Sequence, residues 1–343
     1  MAVACGEDTE EHRRLFRLCA ARLEQTVAEN SPSEERNLGG LLTQVSRGLL
    51  PVLYEFVLVY RGTTPTGYGF LSQGSTAASL PESLENLLRT GLELYLGAAG
   101  TMSQAQRLAD MFAVAFDDRP ALKRLSPTAM AFILGIVPKA RGMALKAYFN
   151  TRISPGDNRL RVLRMLERGA VARADAERVY DAIHHDQGPT RFAGVGIDLT
   201  GSDRCRLKLY VRINTEDVVT HLDTVSRALD LPHDAAKELK EHMQQLPCEH
   251  LASEHEIAVA LASGCSPTLK ATLFLSPKAA ASAAKDVVVK VLEDHGCCAD
   301  PFVEVFSNLV DPQIHAHQPI HAIGYEAPKS CAPKINLYMK PTV

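Results

Sequence analysis

The sequence predicts an α+β fold: a ten-stranded antiparallel β-barrel surrounded by α-helices, built from five repeats of helix, helix, strand, strand. Three observations predict it. One strictly alternating strand, Arg206-Leu207-Lys208-Leu209-Tyr210-Val211-Arg212, recurs in the same phase at Ala144–Phe149, Lys270–Leu275 and Lys334–Met339, a spacing of about 64 residues. Two helical patterns and a hairpin pattern follow one another in the same order along the whole chain. No linker, low-complexity stretch or charge run interrupts the 343 residues, so one domain spanning 1–343 is expected. Ten strands from five hairpins close well into a barrel, which removes their edges.

Each element has a local signal. In repeat one, Leu15, Phe16, Leu18, Cys19, Leu23 and Val27 mark one face of a helix over 9–29. Ser31, Pro32 and Glu34 cap a second helix that runs to about Leu49 and stops at Pro51. The hairpin 52–61 and 66–73 turns at Gly62–Pro65. Repeat two has helices over 82–97 and 103–116, split by Gly97 and Gly100, then strands 128–137 and 143–151. Repeat three has helices at 157–168 and 172–185 and strands 191–200 and 204–213 around Gly201-Ser202-Asp203. Repeat four has helices at 216–230 and 233–246, parted by Leu231-Pro232, then strands 254–262 and 268–275. Repeat five opens at Ser276-Pro277, the expected N-cap and first-turn proline of a helix to about 295, followed by 299–310 and strands 319–326 and 333–340.

Composition excludes several classes. The net charge is −3, with 37 basic and 40 acidic side chains, which argues against a general nucleic-acid binder. No run of 18 apolar residues is present, and the N-terminus turns acidic within ten residues, so a cytoplasmic protein without a membrane span is expected. The eight cysteines are scattered with no Cys-x-x-Cys pair, which reads as buried thiols in a reducing compartment. Trp is absent, so aromatic chemistry must rest on nine Tyr and eleven Phe.

The alternation sorts the strands into two faces. Leu145, Phe149, Leu207, Leu209, Leu273, Leu275, Ile335 and Leu337 suit an outer face under helices. By elimination the lumen takes Lys146 and Tyr148; Arg206, Lys208 and Tyr210; Lys270 and Thr272; and Lys334, Asn336 and Tyr338. Lys and Arg are almost never fully buried unless paired, and the main acidic candidates on this face are Asp198 and Glu55. The expected partner is therefore an enclosed anion of high charge, such as a diphosphate. Ring faces beside it would stabilise a cation, more so where water is excluded. That combination suits ionisation of an allylic diphosphate and shelter of its carbocation.

The five ααββ units and the phrases Leu145-Lys-Ala-Tyr-Phe-Asn150, Arg206-Leu-Lys-Leu-Tyr210, Thr272-Leu-Phe-Leu-Ser-Pro277 and Asn336-Leu-Tyr-Met339 resemble those of the aromatic prenyltransferases with the ααββ barrel, specifically the dimethylallyltryptophan-synthase-like indole prenyltransferases. The resemblance implies transfer of a dimethylallyl or geranyl group from its diphosphate to a small indole or tryptophan-type acceptor, without a metal or other cofactor, in a monomer or homodimer that binds neither nucleic acid nor membrane. It places Lys146, Arg206, Lys208, Tyr210, Lys270 and Tyr338 at the diphosphate, has Tyr325 help close the shield, and has Glu55 accept a hydrogen bond from the indole N–H. Two departures stand out: the second strand of the first hairpin, Thr66–Phe70, lacks the family's arginine, leaving Arg61 or Tyr68 to compensate, and Phe274 stands where a tyrosine is common. A phenolic, naphthalene or phenazine acceptor, and a non-catalytic barrel for an anionic metabolite, remain as alternatives.

Other motifs read more plainly. Asp117-Asp118 suits a helix terminus better than a magnesium motif, and His184-His185 sits at a helix end, where a cationic His offsets the dipole. His315, His317 and His321 lack a carboxylate or cysteine at ligand spacing, so no metal is expected; His321 suits the chamber mouth.

Overall fold

The computed structural model describes residues 53–73, 80–117, 131–138, 143–151, 157–184, 191–200, 205–231, 250–262, 267–309, 319–326 and 334–340, together with Gln25, Lys237, Lys240 and Glu241. Ten strands form one closed sheet: β1 Leu53–Arg61, β2 Pro65–Gln73, β3 Phe132–Pro138, β4 Met143–Phe149, β5 Arg191–Leu199, β6 Arg206–Asn214, β7 Glu254–Ala262, β8 Thr268–Phe274, β9 Ile320–Glu326 and β10 Lys334–Met339. Every strand lies antiparallel beside its neighbours in sequence, and β10 pairs with β1 to close the barrel. Among the described strands no edge is left to template association.

Seven helices are described: α1 Leu80–Gly97, α2 Met102–Ala115, α3 Asn158–Arg168, α4 Arg173–Ile183, α5 Val218–Ala228, α6 Ala281–Asp294 and α7 Asp300–Leu309. The helices expected at 9–29, 31–49 and 233–246 lie outside the described residues, apart from isolated positions. α3 shows the local logic. Asp157 caps it, its side chain accepting from the Leu160 N–H at 3.0 Å. Val162, Leu163, Met165 and Leu166 form its buried face, and Arg159 grips Asp181 of α4. The helix ends at Gly169, where an added Cβ would fall 2.3 Å from the Leu207 side chain. The end of α3 therefore touches the barrel where only glycine fits.

The last long helix starts later than its sequence suggests. Leu275 bridges to Leu251 and the Ser276 N–H donates to the His250 carbonyl at 2.8 Å, so the strand pairing runs on to Ser276 and Pro277 opens a turn, which the Ala279 N–H closes on the Ser276 carbonyl at 3.0 Å. The Ser276 hydroxyl instead accepts from the Lys278 N–H in a turn, and α6 begins after Ala280.

Two faces of the wall separate as the alternation requires. Leu145, Phe149, Leu207, Leu209, Leu273, Ile335 and Leu337 are buried in the core between strands and helices. Asp117 ends α2 and reaches Arg161 of α3 at 3.6 Å, so it ties two helices together; Asp118 lies outside the described residues. No described helix is long and apolar enough to cross a membrane.

Leu207 is fully buried between β6 and α3 and faces away from the lumen. Leu207→Ala should destabilise the protein by about 3 kcal/mol, through lost burial plus the cavity left behind. Urea denaturation would measure this, and the groups inside the barrel should be unaffected.

Candidate active site

The antiparallel register fixes what faces inward. Lys146 lies opposite Asp198, Arg206 also opposite Asp198, and Lys208 opposite Gly196. Lys270 and Lys334 both lie opposite Glu326. Five cations from four strands therefore meet at one end of the lumen with two carboxylates. Lys208 Nζ lies 2.6 Å from the Asp198 carboxylate. Glu326 accepts from Arg206 and, at 3.2 Å, from Lys334, while Arg206 also donates to the Thr268 hydroxyl at 3.0 Å. Lys270 donates to the Tyr338 hydroxyl at 2.7 Å.

These charges perturb one another. Burial pushes the Asp198 carboxyl up, but Lys208, Lys146 and Arg206 outweigh it and hold the group well below the usual carboxylate range. Glu326 behaves alike: burial opposes its charge, and Lys334 with Arg206 more than offsets that. Lys334 goes the other way. Burial pulls it down, Glu326 resists, and Lys146, Lys270 and Arg206 add repulsion, leaving it at about 8.

Space for these long side chains comes from the facing strands. A Cβ on Gly196 would lie 2.9 Å from the Tyr210 ring and 3.2 Å from Tyr148. One on Gly324 would lie 2.9 Å from Tyr338 and 3.0 Å from Lys270. Ala258 and Ala260 of β7 stand opposite Tyr210 and Lys208. Glycine inside a strand marks such close approach, and this signal in Gly194-Val-Gly196 and Ile323-Gly324 was open to reading in the sequence.

The other end of the lumen holds a cavity of about 350 Å³, the size of a small-ligand site. Tyr148, Tyr210, Lys270, Thr272 and Tyr338 line it, whereas Lys146, Arg206, Lys208 and Lys334 lie beyond that lining. The Tyr148 and Tyr210 rings meet edge to face with centroids 5.7 Å apart. Asn336 is buried between Lys334 and Tyr338 on the same inward face, opposite Gly324.

Glu55 sits at the far end of this cavity. It is 4% exposed, and its Oε1 has no hydrogen-bond partner among the described residues. Burial raises its carboxyl to about 7, against the pull of Lys340 and Lys270. His321 lies 3.9 Å away and is neutral, since burial and then Lys340 and Arg212 depress it to about 3. A register shift between Tyr338 and Met339 accompanies its position at the cavity, where its ring meets Phe274. Arg212 lies over the opposite side of this neighbourhood, 4.1 Å from the Phe274 centroid and 3.5 Å from Glu256.

Three expectations are corrected. Tyr325 does not face the lumen. It pairs with Ile335 and Ala271 in the outward set and packs against His295 at the end of α6, because Gly324 and Glu326 on either side of it take the inward positions. Tyr68 likewise belongs to the outer face, opposite Leu58 and against Phe70, so it cannot replace the missing arginine. Arg61 does end on the inward register, opposite Lys334, at an exposed position. Finally, acid in the lumen extends past Asp198 and Glu55: Glu256 and Glu326 share that face. His315, His317 and His185 lie outside the described residues, and no group of three metal-ligating side chains occurs among the described ones.

No protein-family model and no curated protein matches the chain. Solved structures do. The chain is similar to 6-dimethylallyltryptophan synthase from Micromonospora olivasterospora in complex with DMASPP and Trp, with a TM-score of 0.73 at 14% identity over 98% of both chains. It is similar to 5-dimethylallyltryptophan synthase from Streptomyces coelicolor, with a TM-score of 0.66 at 15% identity over 97% of both chains. AnaPT from Neosartorya fischeri gives 0.73 at 14% identity over 94% of this chain and 92% of that one. The chain thus has the closed ten-stranded, helix-wrapped barrel of those prenyltransferases.

A depressed Lys334 predicts pH-dependent anion binding. A bound diphosphate would favour its protonated form, so affinity should fall as pH rises through about 8. Calorimetric titration with inorganic diphosphate between pH 7 and 9 would measure the fall, which should be smaller in Lys334→Gln.

Proposed function

We propose that this protein is an aromatic prenyltransferase that moves a dimethylallyl or geranyl group from its diphosphate to an indole or tryptophan-type ring, without a metal. One observation carries the reading: five buried or half-buried cations gather at one end of a lumen whose adjoining cavity is walled by tyrosines and ends on a buried carboxylate, Glu55, whose Oε1 has no hydrogen-bond partner among the described residues. Solved structures that share the fold include a 6-dimethylallyltryptophan synthase and a 5-dimethylallyltryptophan synthase, each in complex with DMASPP and Trp, which supports the same reading.

The chemistry follows from the two ends. The allylic C–O bond breaks heterolytically, and the electron pair leaves with the diphosphate, whose growing charge Lys146, Arg206, Lys208, Lys270 and Lys334 neutralise. Lysines and an arginine thus take the role a metal would fill. The allyl cation lies against Tyr148, Tyr210 and Tyr338, whose phenols burial keeps neutral. The aromatic ring attacks, a C–C bond forms, and the ring proton passes to the departed diphosphate, which restores aromaticity. Ionised Glu55 accepts the indole N–H, raising ring electron density as the bond forms; this contact strengthens in the transition state and so accelerates the reaction.

Purified protein incubated with EDTA, dimethylallyl or geranyl diphosphate and a panel of tryptophan, indole and a naphthol should yield a prenyl mass increment on the indole acceptors. An increment on the naphthol alone would assign a phenolic acceptor, and diphosphate binding with no increment would assign a non-catalytic barrel. Glu55→Gln should lower kcat/KM for the indole by about 100-fold or more, as loss of a charged transition-state contact does. Since Glu55 is protonated below its raised pKa, kcat/KM should rise with pH through about 7 in the wild type, and Glu55→Gln should lack that limb.

A further inference from the structure

Glu326 stands out among the lumen groups because the reaction gives it no work. It lies on β9 directly between Lys270 of β8 and Lys334 of β10 in the register. Its two oxygens are divided between cations, Oε1 to Arg206 and Oε2 to Lys334 at 3.2 Å. Arg206 reaches it across two intervening strands, since β6 and β9 are separated by β7 and β8. A carboxylate gripped by groups from two other strands occupies the position of an anionic ligand. Asp198 differs, being bound chiefly to Lys208 at 2.6 Å on the adjacent strand.

We propose that Glu326 is a built-in counter-anion of the donor site, which competes with the diphosphate for Arg206 and Lys334 and so sets how tightly diphosphate is held. The proposal rests on the donor-site reading above. Its physical basis is simple. With every group ionised, five cations facing two carboxylates leave an excess of three positive charges. Without Glu326 the excess would be four, facing a diphosphate that becomes a released product of the reaction. A site that neutralised its cations only with ligand would hold inorganic diphosphate tightly after each turnover. Glu326 offers Arg206 and Lys334 a partner to return to, which lowers the cost of letting the product leave.

The test separates charge from positioning. Calorimetry with inorganic diphosphate should show binding to the wild type and about tenfold tighter binding to Glu326→Gln, near 1.4 kcal/mol. Tightening should come with stronger inhibition of turnover by added diphosphate and a steeper loss of affinity with salt. Glu326→Asp keeps the charge but shortens the reach, and should bind within about threefold of wild type on the same scale. Unchanged or weaker binding by Glu326→Gln would overturn the proposal and make Glu326 a positioning residue for Arg206. So would a tenfold loss in Glu326→Asp, which decides the matter alone if the Gln variant fails to fold. Absence of diphosphate binding in the wild type would instead remove the donor-site reading itself, and the proposal with it.

Discussion

Positive charge enclosed by protein is the constraint on which the rest of this structure depends. An isolated ammonium in a medium of low dielectric is costly, and five such cations crowd one another further. The barrel answers with register. Asp198 meets Lys146 and Arg206 across strands, and Glu326 meets Lys270 and Lys334. The pairing is incomplete by number, which leaves this end of the lumen with an excess of positive charge. Closure of the sheet is the condition for this arrangement. An open sheet would expose the same face to water, where these charges would be screened and worth little.

Along the barrel axis the electrostatics change character. At the cationic end carboxyls are held ionised by their neighbours. At the Glu55 end burial dominates: Glu55 and Glu256 are both pushed up, and His321 is pushed down and stays neutral. One fold thus maintains a strongly polar compartment and a weakly charged one within a single cavity system. Lys270 belongs to both, since it lines the cavity and donates to Tyr338. Burial opposes its charge, but Tyr338, Glu256 and Glu326 outweigh that and keep it protonated.

Much of this was legible in the sequence because alternation and repetition are strong signals. The recurring phrases Lys146-Ala-Tyr, Lys208-Leu-Tyr, Lys270-Ala-Thr and Asn336-Leu-Tyr specify period, face and topology together, and every lumen residue on β4, β6, β8 and β10 falls where the alternation puts it. What escaped has identifiable causes. Tyr325 was placed by likeness to other proteins, whereas the two-residue period sets it in phase with Ile323, outside. Glu256 and Glu326 lie on the first strands of their hairpins, where the repeated phrase does not occur. Their position could have been found by carrying the alternation across each turn. The start of α6 was not legible, because the Leu251–Leu275 bridge and the His250 carbonyl that hold Ser276 extended come from a distant segment.

The division of labour within each hairpin has a consequence for how such a protein can change. Second strands carry the long cations and the tyrosines, whereas first strands carry the carboxylates Glu55, Asp198, Glu256 and Glu326 and, among them, Gly196, Gly324, Ala258 and Ala260, which supply only room. Chemistry and capacity are therefore encoded at separate positions along the chain. A lineage can widen, narrow or reshape the chamber by exchanging small residues on β5, β7 and β9 while the groups that bear charge stay in place. The volume of the chamber is then free to diverge on an unchanged scaffold, and a barrel with little sequence in common with its structural relatives can keep the same fold.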